Sequence, residues 1–140
     1  MKLASIRDLK VNKDDRGYLF EAVREDWGID LKQVYIIEDP APNTIRALHK
    51  HEKLIDYFCI VKGSAKFVFA KDDEAESVVL SEKCPQMITV PAGVYHGWKS
   101  LEPNTILVSV ASELYNYENP DEERIPWDSF GEKVWEQVKK

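Results

Sequence analysis

Short runs of apolar, β-branched and aromatic residues alternate with polar turns along most of the chain. The runs have the length and composition of β-strands and lie at residues 18–23, 33–37, 44–51, 56–61, 65–70, 77–80, 87–90, 95–99 and 105–111. A polar turn over residues 12–17 ends in Gly17, and the pair Gly63-Ser64 predicts a tight hairpin between two of the runs. The pattern therefore predicts an all-β protein.

The spacing of apolar residues changes near the end of the chain. After Asp128, the residues Phe130, Val134, Trp135 and Val138 recur at near-helical intervals. This spacing predicts a short C-terminal helix that follows the strands.

Composition and charge narrow the class of protein. The 140 residues are 44% hydrophobic and 11% aromatic, which is typical of a globular protein and predicts a single domain over residues 1–140. The net charge of −6 gives no basic surface for nucleic acid. No apolar run is long enough for a signal peptide or a membrane span. We therefore expect a cytoplasmic protein with no nucleic-acid or membrane partner.

All the histidines of the chain fall in two short motifs. His49 and His51 are followed by Asp56, and His96 follows a Pro-Ala-Gly turn. Residues i and i+2 of a strand point to the same side, so His49 and His51 can converge on one point. Asp56, on a neighbouring strand, can aim at the same point, and His96 can complete the set. The motifs predict one polar site built on β-strands.

These paired motifs resemble those of the cupin superfamily, with Asp56 where the superfamily pattern has glutamate. The resemblance implies a double-stranded β-helix, or jelly roll, with a pocket inside the barrel. It does not imply one chemistry, because a single fold hosts many activities.

Longer segments resemble the dTDP-4-dehydrorhamnose 3,5-epimerase family. They lie at residues 15–21, 45–49, 90–98 and 119–128. The resemblance implies that His49 is the base beside a 4-keto group and that Arg46 contacts the nucleotide diphosphate. It implies that Arg16 and Glu21 bind the nucleotide, across the interface of a homodimer.

The epimerase pattern is incomplete here, since the family's catalytic tyrosine aligns near Ser109. Residues 46–51 resemble instead the Arg-Gly-x-His-x-His stretch of sugar-nucleotide 3,4-ketoisomerases, apart from Ala47 for glycine, and place both histidines in the active site. Residues 110–115 resemble their Ala-Ser-Glu-x-Tyr segment, which makes Tyr115 a candidate catalytic acid. Both families act on nucleotide-activated 4-keto-6-deoxyhexoses.

The residues suit this chemistry without a cofactor. A 4-keto group acidifies the protons on C3 and C5, and a neutral histidine with an ordinary pKa of about 6.5 can remove one of them. The enolate then needs a donor near O4. We predict an epimerase or isomerase with His49 as the base and His51 as a second acid or base, or as the enolate donor. Asp56 and His96 would line the substrate pocket.

Two alternatives use the same side chains. His49, His51, Asp56 and His96 offer three imidazoles and a carboxylate, which suit one divalent transition metal, as in a metal-dependent cupin enzyme. Alternatively, the histidines line the pocket of a non-catalytic cupin that binds a sugar or an effector.

Overall fold

The computed structural model describes residues 1–137, which form β-strands joined by turns and two short 3-10 turns. The strands are β1 Ser5–Asp8, β2 Val11–Asp14, β3 Gly17–Phe20, β4 Gln33–Asp39, β5 Ile45–Lys50, β6 Asp56–Lys62, β7 Ser64–Lys71, β8 Glu74–Ser81, β9 Gln86–Val90, β10 Tyr95–Ser100, β11 Thr105–Ala111 and β12 Glu123–Arg124. The 3-10 turns are Glu25–Trp27 and Lys133–Trp135.

Two antiparallel five-stranded sheets face each other. The first has the strand order β1-β9-β6-β11-β4, the second has the order β12-β5-β10-β7-β8, and β2 and β3 form a separate hairpin. The inward side chains of the two sheets meet in an aromatic and aliphatic core that includes Phe58, Phe67, Ile88, Trp98 and Leu107. The predicted all-β jelly roll is confirmed.

Strands β1, β2 and β12 are absent from the sequence prediction. Every residue of all three strands is exposed, so no buried face imposes an alternation of apolar and polar residues on them. The predicted polar turn at residues 12–17 is shorter than expected, because β2 runs to Asp14 and β3 begins at Gly17. Gly17 has a φ of 131°, which glycine tolerates.

The predicted C-terminal helix is reduced to the 3-10 turn Lys133–Trp135 within the described residues, and Val138 lies outside them. The apolar residues there pack on the sheet, because Trp135 is buried with Leu48 and Val68 of the second sheet, and Phe130 and Val134 pack against this cluster. No helix in the described part of the chain is long and apolar enough to cross a membrane.

Candidate active site

The structure brings the three histidines and Asp56 together. Their ligating atoms all lie within 4.8 Å of one another. His49 lies in β5 and His51 directly follows it, while His96 in β10 is paired in register with His49. Asp56 begins β6, which belongs to the facing sheet and not to a strand beside β5 as the sequence suggested. The predicted cluster therefore forms from both sheets.

Asp56 lies at the centre of this cluster. Its Oδ2 is 3.0 Å from His51 Nε2 and 2.9 Å from His96 Nε2, and the side chain is 1% exposed. Neither carboxylate oxygen has a partner in good hydrogen-bond geometry among the described residues, so both contacts are close but off line. The two imidazoles at this distance nonetheless favour the charged form of the carboxylate.

Backbone carbonyls fix the orientation of two imidazoles. His51 Nδ1 faces the carbonyl oxygen of Asp121, and His96 Nδ1 lies 3.0 Å from that of Val94. A carbonyl oxygen only accepts, so in each ring Nδ1 carries a proton and donates it. The other ring nitrogen of His51, Nε2, therefore faces the Asp56 carboxylate. Without a proton, the lone pair of Nε2 is repelled by the carboxylate; with a proton, Nε2 is attracted to it.

The cluster separates the pKa values of its two pocket histidines. Burial, together with the neighbouring His96 and His51, lowers the pKa of His49 to about 3. Burial also acts to lower the pKa of His51, but the contacts with Asp56 and Asp121 outweigh it and raise that pKa above its ordinary value. His49 is thus neutral at cellular pH, and His51 is the readily protonated partner.

Asp56 is ionised in this arrangement. Burial acts to raise the pKa of Asp56, but the contacts with His51 and His96 outweigh it and hold the pKa well below its ordinary value. The carboxylate can therefore supply the negative charge that keeps a proton on His51.

A pocket of about 380 Å³ opens beside the cluster. It is lined by Gln33, Tyr35, His49, His51, Leu54, Asp56, Ala111, Glu113, Leu114, Tyr115, Asn116, Tyr117, Asp121, Glu122 and Arg124. Four of the residues predicted from the sequence thus lie on its wall: His49, His51, Asp56 and Tyr115.

Arg46 does not line this pocket, contrary to the expectation from the sequence. Its Nε and Nη2 donate to Asp39 Oδ1 at 2.9 and 2.7 Å, and its guanidinium carbon lies 6.0 Å from the centre of the Trp98 ring. Arg46 lies three positions from His49 along β5, a separation of roughly 10 Å in an extended strand. Asp39, which is buried, neutralises its charge.

Arg16, Glu21 and His96 are also absent from the wall of the pocket. Arg16 lies at the exposed tip of the β2–β3 hairpin and pairs with Asp14, while Glu21 pairs with Arg24 at the surface. His96 is 2% exposed and lies behind the wall, with its ring centre 4.4 Å from that of His49. It therefore supports His49 and Asp56 from the interior.

Sequence reasoning missed three residues of the site. Asp121 accepts hydrogen bonds from the backbone N–H groups of residues 52–54 at 2.8 to 3.1 Å, which fixes the turn after His51. Arg124 in β12 pairs in register with His49, and Tyr35 reaches the pocket from β4. The epimerase-like segment at residues 119–128 contained Asp121 and Arg124, but nothing in it indicated their roles.

Comparison with known sequences gives related proteins of similar length. Residues 12–123 match the family described as polysaccharide biosynthesis C-terminal domain. The probable low-salt glycan biosynthesis epimerase Agl13 of Haloferax volcanii is 38% identical, and the match covers 88% of this chain and 86% of that protein. The spore coat polysaccharide biosynthesis protein SpsL of Bacillus subtilis is 30% identical, with 88% and 87% covered.

Solved structures share the fold. The RmlC epimerase of Mycobacterium tuberculosis superposes with a TM-score of 0.82 at 21% identity, over 97% of this chain and 74% of that chain. The sugar 3,4-ketoisomerase QdtA of Thermoanaerobacterium thermosaccharolyticum, solved with TDP, gives 0.78 at 22% identity, over 96% of each chain.

Proposed function

The chain belongs to the polysaccharide biosynthesis C-terminal domain family, and from this premise we propose that it is an epimerase or isomerase of a nucleotide-diphosphate-linked 4-keto-6-deoxyhexose. The predicted relationship to sugar-nucleotide epimerases and ketoisomerases is confirmed. The observation that carries the proposal is the pair His49 and His51, one neutral and one readily protonated, on the wall of a single pocket. Such a separation of pKa values between neighbouring groups assigns a base and an acid.

His49 acts as the base. Its low pKa keeps the imidazole neutral at cellular pH, so a lone pair is available to remove a proton from the carbon beside the ketone. The enolate that forms carries negative charge next to the new imidazolium. This attraction stabilises the imidazolium of His49 as the proton is transferred to it.

His51 stabilises the enolate through its positive charge. The ionised Asp56, whose Oδ2 lies 3.0 Å from Nε2 of His51, favours the imidazolium of His51. A fixed cation close to the position where negative charge develops is a large catalytic contribution. Asp56 and His96 are positioning residues in this scheme, because they act through His51 and His49.

Other residues that line the pocket are suited to bind the diphosphate, the sugar or the base of the substrate. Arg124 is the cationic side chain among the lining residues other than histidine, and we assign it to the diphosphate. Tyr115 and Tyr117 contact each other edge to face, with ring centres 5.1 Å apart, and they offer apolar surface for the sugar or the base. The prediction that Tyr115 is the catalytic acid is retained for testing. The enzyme would be a single cupin domain, acting in the cytoplasm.

Proton exchange tests the proposed activity. We expect the protein, incubated with dTDP-4-keto-6-deoxyglucose in D2O, to exchange C3-H or C5-H for deuterium, because every reaction proposed here passes through an enolate. One-dimensional proton NMR follows the loss of each signal. Binding of the sugar nucleotide with no exchange at either carbon would show a non-catalytic binding protein.

Removal of metal ions tests whether a metal cofactor takes part in the reaction. We propose that no metal takes part, and we expect overnight dialysis against EDTA to leave the exchange rate unchanged. The cluster of three histidines and Asp56 is nonetheless a suitable donor set for Zn²⁺ or Fe²⁺. About one equivalent of a transition metal by elemental analysis, with exchange that stops on chelation and returns on adding the metal, would establish the metal-dependent alternative.

We expect a homodimer. Edge strand β4 turns Val34 and Ile36 outward, 52% and 67% exposed, and Leu19 of the hairpin is 61% exposed, so a second copy would cover apolar surface and a sheet edge. Arg16 and Glu21, remote from their own pocket, would then lie near the partner's. Light scattering should give about twice the chain mass of 16.2 kDa; a monomer at micromolar concentration would contradict shared sites.

A further inference from the structure

One segment of the chain supplies much of the pocket wall. Residues 113–117, together with Asp121, Glu122 and Arg124, line the pocket. The stretch 113–120 lies between β11 and β12, contains no helix or strand, and every residue in it is exposed. Segments with few buried contacts open at a low cost in free energy. The pocket is thus bounded on this side by a loosely held part of the chain.

Both ends of this segment are fixed to the turn at residues 51–56. The buried Ser112 donates its backbone N–H to the carbonyl oxygen of Ile55 at 3.0 Å, and its Oγ accepts from the N–H of Ile55 at 2.8 Å. At the other end, the carboxylate of Asp121 accepts the backbone N–H groups of residues 52–54. The two ends are therefore anchored to one short turn.

Between these ends the segment is weakly attached to the rest of the protein. Within residues 1–137 one hydrogen bond joins it to another element, from the backbone N–H of Tyr115 to Oε1 of Gln33 in β4 at 2.8 Å. Its other hydrogen bonds are internal, from the N–H groups of Glu118 and Asn119 to Oδ1 of Asn116. A segment with fixed ends and one tether can swing about those ends.

The segment carries apolar side chains that the fold leaves uncovered. Leu114, Tyr115 and Tyr117 are 68%, 46% and 85% exposed, although all three line the pocket. Burial of apolar surface is favourable, and aromatic side chains pack well on the flat face of a nucleotide base. A sugar nucleotide in the pocket would therefore draw these side chains toward it.

We propose that residues 113–120 form a lid that closes over the bound sugar nucleotide, with Ser112 and Asp121 as its hinges. The inference rests on the proposed function. The contact with Gln33 holds the lid in its open position. Closure buries the apolar side chains of the lid against the substrate and excludes water from the proton transfers. Because both hinges are anchored to residues 51–56, the lid closes without displacing the catalytic histidines.

Crystal structures of the protein alone and with dTDP-glucose test the movement. This sugar nucleotide has no ketone and does not react. With it bound, we expect the Cα atoms of residues 114–119 to lie more than about 2 Å closer to His49, while those of Ser112 and Asp121 shift by less than about 1 Å. A lid in the same position in both structures, with dTDP-glucose in the pocket, would overturn the proposal.

Hydrogen exchange followed by mass spectrometry tests the lid in solution. We expect saturating dTDP-glucose to slow amide exchange over residues 113–120 by about tenfold, and to leave the turn at residues 72–73 unchanged. In the protein without ligand, Gln33→Ala should speed exchange over the lid, because it removes the tether to Tyr115. Gln86→Ala is the matched control, because it also removes one side-chain hydrogen bond, to Asp8, and should leave exchange over the lid unchanged.

The remaining outcomes separate the lid from the proposed function. Unchanged exchange over residues 113–120 in protein saturated with dTDP-glucose refutes the lid and leaves the function intact. Equal exchange there in Gln33→Ala and in the wild-type protein refutes the role of Gln33. A protein that binds neither dTDP-glucose nor dTDP in calorimetric titration refutes the proposed function, and the inference falls with it.

Discussion

Replacing His49 with asparagine is expected to lower kcat by about 10²–10⁴ and to leave the fold and the binding of dTDP unchanged. His49 lies in β5 on the wall of the pocket, beside His51 and in register with His96. Asparagine keeps a polar side chain of smaller volume at this position but has no basic nitrogen. The substitution should therefore slow proton removal without weakening the binding of dTDP.

Three measurements on His49→Asn separate these effects. Thermal unfolding followed by circular dichroism checks the fold, calorimetric titration with dTDP checks binding, and deuterium exchange in D2O gives the rate of proton removal. Both wild-type exchange and wild-type turnover in a folded His49→Asn variant would eliminate His49 as the base.

We expect the alkaline limb of the pH profile of turnover to lie above the ordinary pKa of a histidine side chain. Activity needs neutral His49 and charged His51. The lowered pKa of His49, about 3, puts the acid limb near pH 3. The raised pKa of His51 moves the alkaline limb to higher pH, so kcat should be maximal between the two and fall as the pH rises through the pKa of His51.

Asp56→Asn should move the alkaline limb to lower pH. Without the carboxylate, burial is left to lower the pKa of His51, so the imidazole becomes neutral at cellular pH. We expect kcat at pH 7.5 to fall by about 10²-fold, the lower part of the range for loss of an acid. Profiles of kcat against pH, measured from pH 5 to 9, give the position of the limb.

The matched control is Asp39→Asn. Asp39 is also a buried aspartate, but it pairs with Arg46 and does not line the pocket. Its replacement should leave the alkaline limb at the wild-type pH, even if the protein loses stability. The same alkaline limb in Asp56→Asn and in the wild-type protein would contradict the role assigned to Asp56.

Local pattern predicted the strands that have a buried face. Each strand from β4 to β11 contributes apolar residues to a buried cluster, and the sequence located each of these strands to within a few residues. The exposed strands β1, β2 and β12 carry no such signal. The near-helical spacing at Trp135 arose from packing on the outside of a sheet, which periodicity alone does not distinguish from a helix.

The sequence by itself determined that His49 and His51 converge, because a strand places residues i and i+2 on one side. It also determined the family resemblance, which depends on motifs along the chain. Only the tertiary structure decided that Asp56 joins them from the facing sheet, that Arg46 pairs with Asp39 and does not line the pocket, and that Tyr35 lines the pocket from β4. These are contacts between distant segments. The pKa values of the histidines depend on burial and on such contacts, so they too were decided by the folded chain.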